Sequence, residues 1–185
     1  IIKFKLKSIL YIVLIYLSIV CVAALTLYWN KTDSMFGIAE CLRRFPWIFF
    51  SLYLLLDLKG IKKYHFIRVG LSFAFIAHGF ASLGFLGLNQ GHIDLAIKVV
   101  PIVNARNFVY CTGITDSIIG FMILQGIFTR YITIIGAVWI SFIVYLSYLC
   151  AVPDAIFRTA FLIAAIYVFI DKRTYFPKLI NYEKN

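Results

Sequence analysis

The sequence predicts an all-α fold, a polytopic transmembrane bundle of six helical spans, and two observations carry that expectation. The first is composition: of 185 residues, 63% are hydrophobic and 14% charged, with a mean hydropathy of +0.93. A water-soluble domain is about half apolar and about a quarter charged, and a chain of this size cannot hide so much Ile, Leu, Phe and Val behind one aqueous surface. The second is arrangement, because the apolar residues fall into long runs separated by short basic or Gly/Pro-containing gaps. A span takes ~20 residues, so six use about 120 and leave roughly a third of the chain for connections, with no room for a separate soluble domain.

The first span runs from Ser8 to Trp29 behind Lys3, Lys5 and Lys7. Its apolar stretch is longer than the core of a signal peptide, so it is expected to be kept as a helix, and with Ile1 rather than Met in first place the true start is expected upstream. The second run, Pro46 to Leu58, is too short to cross unaided. Proline suits the first turn of a helix, so residues 33 to 44 read as an interfacial segment feeding a tilted span that begins near Phe45. A re-entrant course is the alternative. Four further spans are expected at Phe66–Leu88, Asn107–Phe128, Tyr131–Val152 and Ala155–Ile170. Asn89-Gln90-Gly91 closes the third, a very short connection at Thr129-Arg130 makes the fourth and fifth a tight antiparallel pair, and Pro153-Asp154 opens the sixth with Asp154 as N-cap. Between the third and fourth, Ile93, Ala96, Ile97 and Val100 share one helical face from which Asp94 and Lys98 are excluded, the pattern of a short amphipathic helix on the membrane surface.

The net charge of +10 does not point to nucleic acid, because basic residues that read nucleic acid cluster on one face or stripe and here they fill the gaps between apolar runs. An N-terminus in the cytoplasm puts Lys3, Lys5, Lys7, Lys59, Lys62, Lys63, Arg68, Arg130, Lys172, Arg173, Lys178 and Lys184 inside. Lys31, Arg43, Arg44, Lys98, Arg106 and Arg158 fall outside. That bias follows the positive-inside rule for six crossings with both termini cytoplasmic. Tyr28, Trp29, Trp47 and Tyr175, near span ends, read as interface anchors. The cysteines Cys21, Cys41, Cys111 and Cys150 are widely spaced without a CxxC pair, and no Walker A, GxGxxG, HExxH or GxSxG pattern occurs. No metal site is expected, and His65 and His92 read as loop residues.

An ionisable side chain deep in a span costs ~2.5 to 3.5 kcal/mol and is by default a functional candidate with a partner to be found. His78 and Asp116 qualify, each about 14 to 16 Å from the start of its helix at 1.5 Å per residue. Gly70, Ala74, Ala77, Ala81 and Gly84 form a small-residue seam beside His78, and Thr112, Gly113 and Gly120 surround Asp116. The two spans run antiparallel, so a contact between the pair is available. It reads either as a proton-exchanging or headgroup-binding site, or as a structural pair fixing helix register. Arg158, with Arg106 and Arg43 or Arg44, reads either as a set of contacts to an anionic lipid or quinone headgroup at the outer interface, or, for Arg158, as an exposed ion pair with Asp154.

The stretch IRVGLSFAFIAHGFASLGFLG, opened by Arg68 with His78-Gly79 in the middle, resembles the first core helix of the DoxX-like membrane proteins. The segment DSIIGFMILQGIFTRYITIIGAVW, with its acidic residue and Gly-x-x-Thr-Arg, is similar to that family's second motif, and Arg158-Thr159 fits the start of its last helix. Asp116 stands where the family usually has Glu, and Ser82 lies near the place of a frequent Lys. The likeness covers about residues 66–171. It implies a four-helix core in the cytoplasmic (inner) membrane of a bacterium, with residues 1–65 an added helical pair and 172–185 a basic cytoplasmic tail. It also implies association with redox chemistry, since some relatives are membrane subunits of thiosulfate:quinone oxidoreductase.

Two functions follow as expectations. In one, the chain is a subunit of a redox-linked complex with a quinone- or lipid-accessible pocket, where His78 exchanges a proton and Asp116 orients it. Histidine is the side chain that titrates near neutrality. In the other, it is a non-catalytic anchor or assembly subunit of a larger membrane complex. Partners in both are the bilayer and other membrane or redox subunits.

Overall fold

The computed structural model of the chain describes residues 2–29, 38, 41–42, 44–55, 62–85, 90–99, 104–150 and 152–170, and no strand occurs among them. The helices are α1 (Ile2–Trp29), α2 (Phe45–Leu55), α3 (Lys62–Leu83), α4 (Gln90–Val99), α5 (Ala105–Gln125), α6 (Thr129–Cys150) and α7 (Val152–Ile170). Four stretches are long and apolar enough to cross a membrane: Lys7–Thr26, His65–Leu83, Ala105–Gln125 and Thr129–Leu149. The second and sixth expected spans correspond to shorter apolar helices, Phe45–Leu55 and Arg158–Ile170. The interfacial segment expected at 33–44 lies mostly outside the described residues, as do Arg43, Lys59 and the tail.

The ends of the helices follow from local chemistry. α5 starts two residues before the expected Asn107 because Asn104 caps it, its Oδ1 accepting from the backbone N–H of Arg106 at 3.1 Å and Asn107 at 3.3 Å. It ends at Gly126, whose φ of 75° permits the left-handed turn. α3 stops at Leu83 because Gly84 takes a φ of 80°. Gly84 has nothing within 4 Å of a built Cβ, so it terminates the helix rather than extending the packing seam. α4 forms as the spacing requires, with Ala96 buried and Asp94 and Lys98 exposed, although Ile97 also points outward. His65 lies in α3 and His92 in the first turn of α4, so neither is a loop residue. Arg68, counted above with the cytoplasmic charges, is buried on α3.

The most extensive helix pairs are α3 with α5 and α6 with α7, while α5 and α6 touch far less despite their short connection. Glycine explains the first pair. A Cβ on Gly79 would lie 2.8 Å from the backbone N of Ser117, one on Gly113 would lie 3.0 Å from the carbonyl of Gly79, and one on Gly120 would lie 3.0 Å from the backbone N of Ile76. Each would force two backbones apart. Gly70 serves another contact, against Phe49 and Phe50 of α2.

Ile67, Leu71, Phe75, Ile119, Ile123, Ile140, Ala164, Ala165 and Val168 form the core where α3, α5, α6 and α7 meet. α2 closes one side: Trp47 lies 5.4 Å from the ring of Phe161, so it packs inward rather than serving as a surface anchor. The hydroxyls of Tyr53 and Tyr167 meet at 2.6 Å. α1 packs chiefly on α2 and leaves Ile9, Ile12, Ile15, Tyr16, Ile19 and Val22 exposed.

Candidate functional site

The tight α3–α5 contact brings together the two mid-helix residues that sequence reading singled out. His78 Nδ1 lies 2.5 Å from Asp116 Oδ2. Asp116 is 2% exposed, a position untenable for a carboxylate without partners. Its other oxygen accepts from the Trp139 indole N–H of α6 at 2.7 Å. On the far side of the ring, Arg158 Nη1 of α7 lies 3.3 Å from His78 Nε2.

These partners assign the histidine. A guanidinium has donors only, so Nε2 accepts and carries the lone pair. Nδ1 therefore holds the proton and donates it to the Asp116 carboxylate. The array runs Trp139, Asp116, His78, Arg158 across four helices, with the carboxylate and the guanidinium on opposite sides of a neutral ring and balancing each other. That cancellation is how a low-dielectric interior accommodates two charges.

Two clefts open on either side of His78 and Arg158, both of which line each. One, of about 470 Å³ counted out to its mouth, lies under α4 and is lined also by Ser82, His92, Thr112, Ile143, Leu146 and Ser147. The other, of about 410 Å³ by the same measure, is lined also by Ala74, Phe75, Asp116, Trp139, Ile140 and Phe161. Apolar walls with a few convergent polar groups are the usual lining of a small-molecule site.

No family model, curated protein or solved structure matches this chain. The site is therefore read from its geometry. Of the arginines expected to gather a headgroup, the structure brings Arg158 to His78. Arg106 is exposed in the first turn of α5, Arg44 sits in a turn before α2, and Arg43 lies outside the described residues. The expected Asp154–Arg158 pair also lies outside them, since the Asp154 side chain is not described.

Sequence reading missed three participants. Trp139 stands mid-helix, far from the span ends where an indole serves as an anchor, and that position was its signal. His92 is carried over the site by α4: its ring centroid is 4.7 Å from that of His78, and its Nδ1 is 3.1 Å from Ser82 Oγ. Ser147 had no signal in sequence, because a serine in a helix ordinarily bonds its own backbone. Among the described residues, no group of three or more His, Cys, Asp or Glu forms a metal set.

Chemically, the array presents one basic nitrogen, His78 Nε2, at the boundary of two apolar clefts.

Proposed function

We propose that this chain is an integral membrane subunit of a redox-linked complex that admits a quinone, or another lipid-phase molecule, to its helix bundle beside His78. The reading includes a DoxX-like core over residues 66–171, six crossings, and both termini in the cytoplasm of a bacterial inner membrane. The observation that carries it is the Trp139–Asp116–His78–Arg158 array at the junction of two clefts. A pair serving only to fix helix register needs neither a fourth member nor open space beside it. Flat apolar molecules with carbonyl oxygens fit such clefts, and the residues present suit them: apolar walls for the ring and tail, nitrogen groups for the oxygen. In this reading His78 exchanges a proton with the ligand oxygen at Nε2, Asp116 and Trp139 hold the ring in place, and Arg158 turns an N–H toward the oxygen.

The test is to purify the full chain from native membrane in mild detergent and measure quinone per chain by mass spectrometry. Near-stoichiometric quinone in the wild type, reduced at least about tenfold in His78→Ala, is the expected result. Quinone absent from the wild type, or equal in both, overturns it. The anchor reading has its own support in α1, whose exposed apolar row offers a face to a larger complex. A stoichiometric partner that stays bound when His78 and Asp116 are both replaced, with no quinone present, would establish that reading instead.

A further inference from the structure

We infer that the cleft under α4 seats an uncharged lipid-phase molecule by its carbonyl oxygen, and that the Ser147 hydroxyl donates the hydrogen bond that holds it. This rests on the proposed role of the His78 site and adds the residue and the ligand chemistry to it.

The hydroxyls of the bundle supply the argument. Ser18, Ser72, Ser117, Ser141, Thr26, Thr112, Thr133 and Thr159 each donate to the carbonyl four residues earlier. That bond closes the donor within its own helix and takes it out of use. Two buried hydroxyls among the described residues depart from the pattern, Thr129 and Ser147, and of these Ser147, 1% exposed, lines a cleft. A buried hydroxyl left open is costly, and its presence in a cleft wall marks a donor waiting for an acceptor. Ser147 does not line the second cleft, where both oxygens of Asp116, the indole N–H of Trp139 and both ring nitrogens of His78 are engaged within the array, leaving Arg158, shared by both clefts, as its further donor. The head of the ligand therefore belongs on the α4 side.

Charge selects the class of head. The array beside Ser147 is neutral from end to end, so an anionic or cationic head would carry a net charge into an apolar cleft. An uncharged carbonyl keeps the balance and accepts from the hydroxyl. Val109, Ile143 and Leu146 supply the apolar wall for the rest of the molecule, and His92 roofs the cleft. Two lipid-phase sources carry such an oxygen: a quinone ring and the ester of a neutral glyceride.

The experiment titrates the purified full chain with decylubiquinone, with a short-chain diacylglycerol, and with decylbenzene, which lacks a carbonyl. Calorimetry is run on wild type, Ser147→Ala, Ser147→Thr and His78→Ala. The expected result is binding of at least one carbonyl probe, weakened about five- to tenfold by Ser147→Ala, as one hydrogen bond implies, and restored by Ser147→Thr. Decylbenzene should be indifferent to Ser147. The probe that binds identifies the source. Without ligand, Ser147→Ala should melt no lower than wild type, since it removes an open donor; a lower melt means that the hydroxyl is bonded within the fold and overturns the inference. Equal carbonyl-probe affinity in wild type and Ser147→Ala also overturns it. If His78→Ala alone abolishes binding, only the role of Ser147 falls. If no probe binds the wild type, the reading of the whole site falls with it.

Discussion

α3 and α5 meet so closely that a single methyl group on Gly79, Gly113 or Gly120 would collide with the opposite helix, whereas α1 leans on α2 and leaves most of its apolar side chains exposed. α1, α3 and α5 each contain an apolar stretch of spanning length. The difference teaches which part of the chain has a positional task. Only where backbones are locked at short range can a carboxylate and an imidazole on neighbouring helices be held at hydrogen-bond distance. α1, which packs chiefly on α2, holds no member of the array, and a weak Cys21 Sγ contact to the Cys41 carbonyl links it to the rest through a side chain.

Substitutions can break or sharpen that contrast. The largest loss is expected from Asp116→Ala, which strips His78 Nδ1 and the Trp139 indole of their acceptor and removes the carboxylate from the array. Removing one member of a buried charged set costs about 3 to 5 kcal/mol, measurable by reversible unfolding in mixed detergent micelles. Gly113→Val comes next at about 1 to 3 kcal/mol, the range for overpacking, and should lengthen the His78–Asp116 contact as well. Trp139→Phe deletes one donor to Asp116 while keeping an aromatic ring; hydrogen bonds between helices in a bilayer average about 0.6 and reach about 1.7 kcal/mol, so a loss inside that range is expected. The smallest effect belongs to Ile12→Ala on α1, within about 0.5 kcal/mol. A loss at Ile12 as large as that at Gly113 would erase the distinction between the two regions.

Much of this was legible in the sequence, and the limits have physical reasons. His78 and Asp116 could be paired because each interrupts an apolar run at similar depth and the two helices are neighbours in the chain. The glycines around Asp116 announced a close interface, yet the partner glycine, Gly79, lay outside the seam of Gly70, Ala74, Ala77, Ala81 and Gly84, because helical spacing alone does not say which small residue meets a backbone. Arg158 was placed at the surface since its contact depends on how α7 crosses α3, two helices separated by α4, α5 and α6. For the same reason the short link between α5 and α6 suggested a close pair, while α6 packs mainly against α7. His92 passed for a loop residue because the amphipathic stretch was read from its apolar positions, which begin one residue later at Ile93.

The most direct test of the His78 site is its tautomer, read by ¹⁵N nuclear magnetic resonance on ring-labelled histidine with the protein in lipid nanodiscs. His78→Ala assigns the signal. The array predicts a neutral ring with the proton on Nδ1, facing Asp116, and an unprotonated Nε2 facing Arg158. A ring protonated at Nε2 alone would mean that neither Asp116 nor Arg158 holds it as described, and would contradict the account.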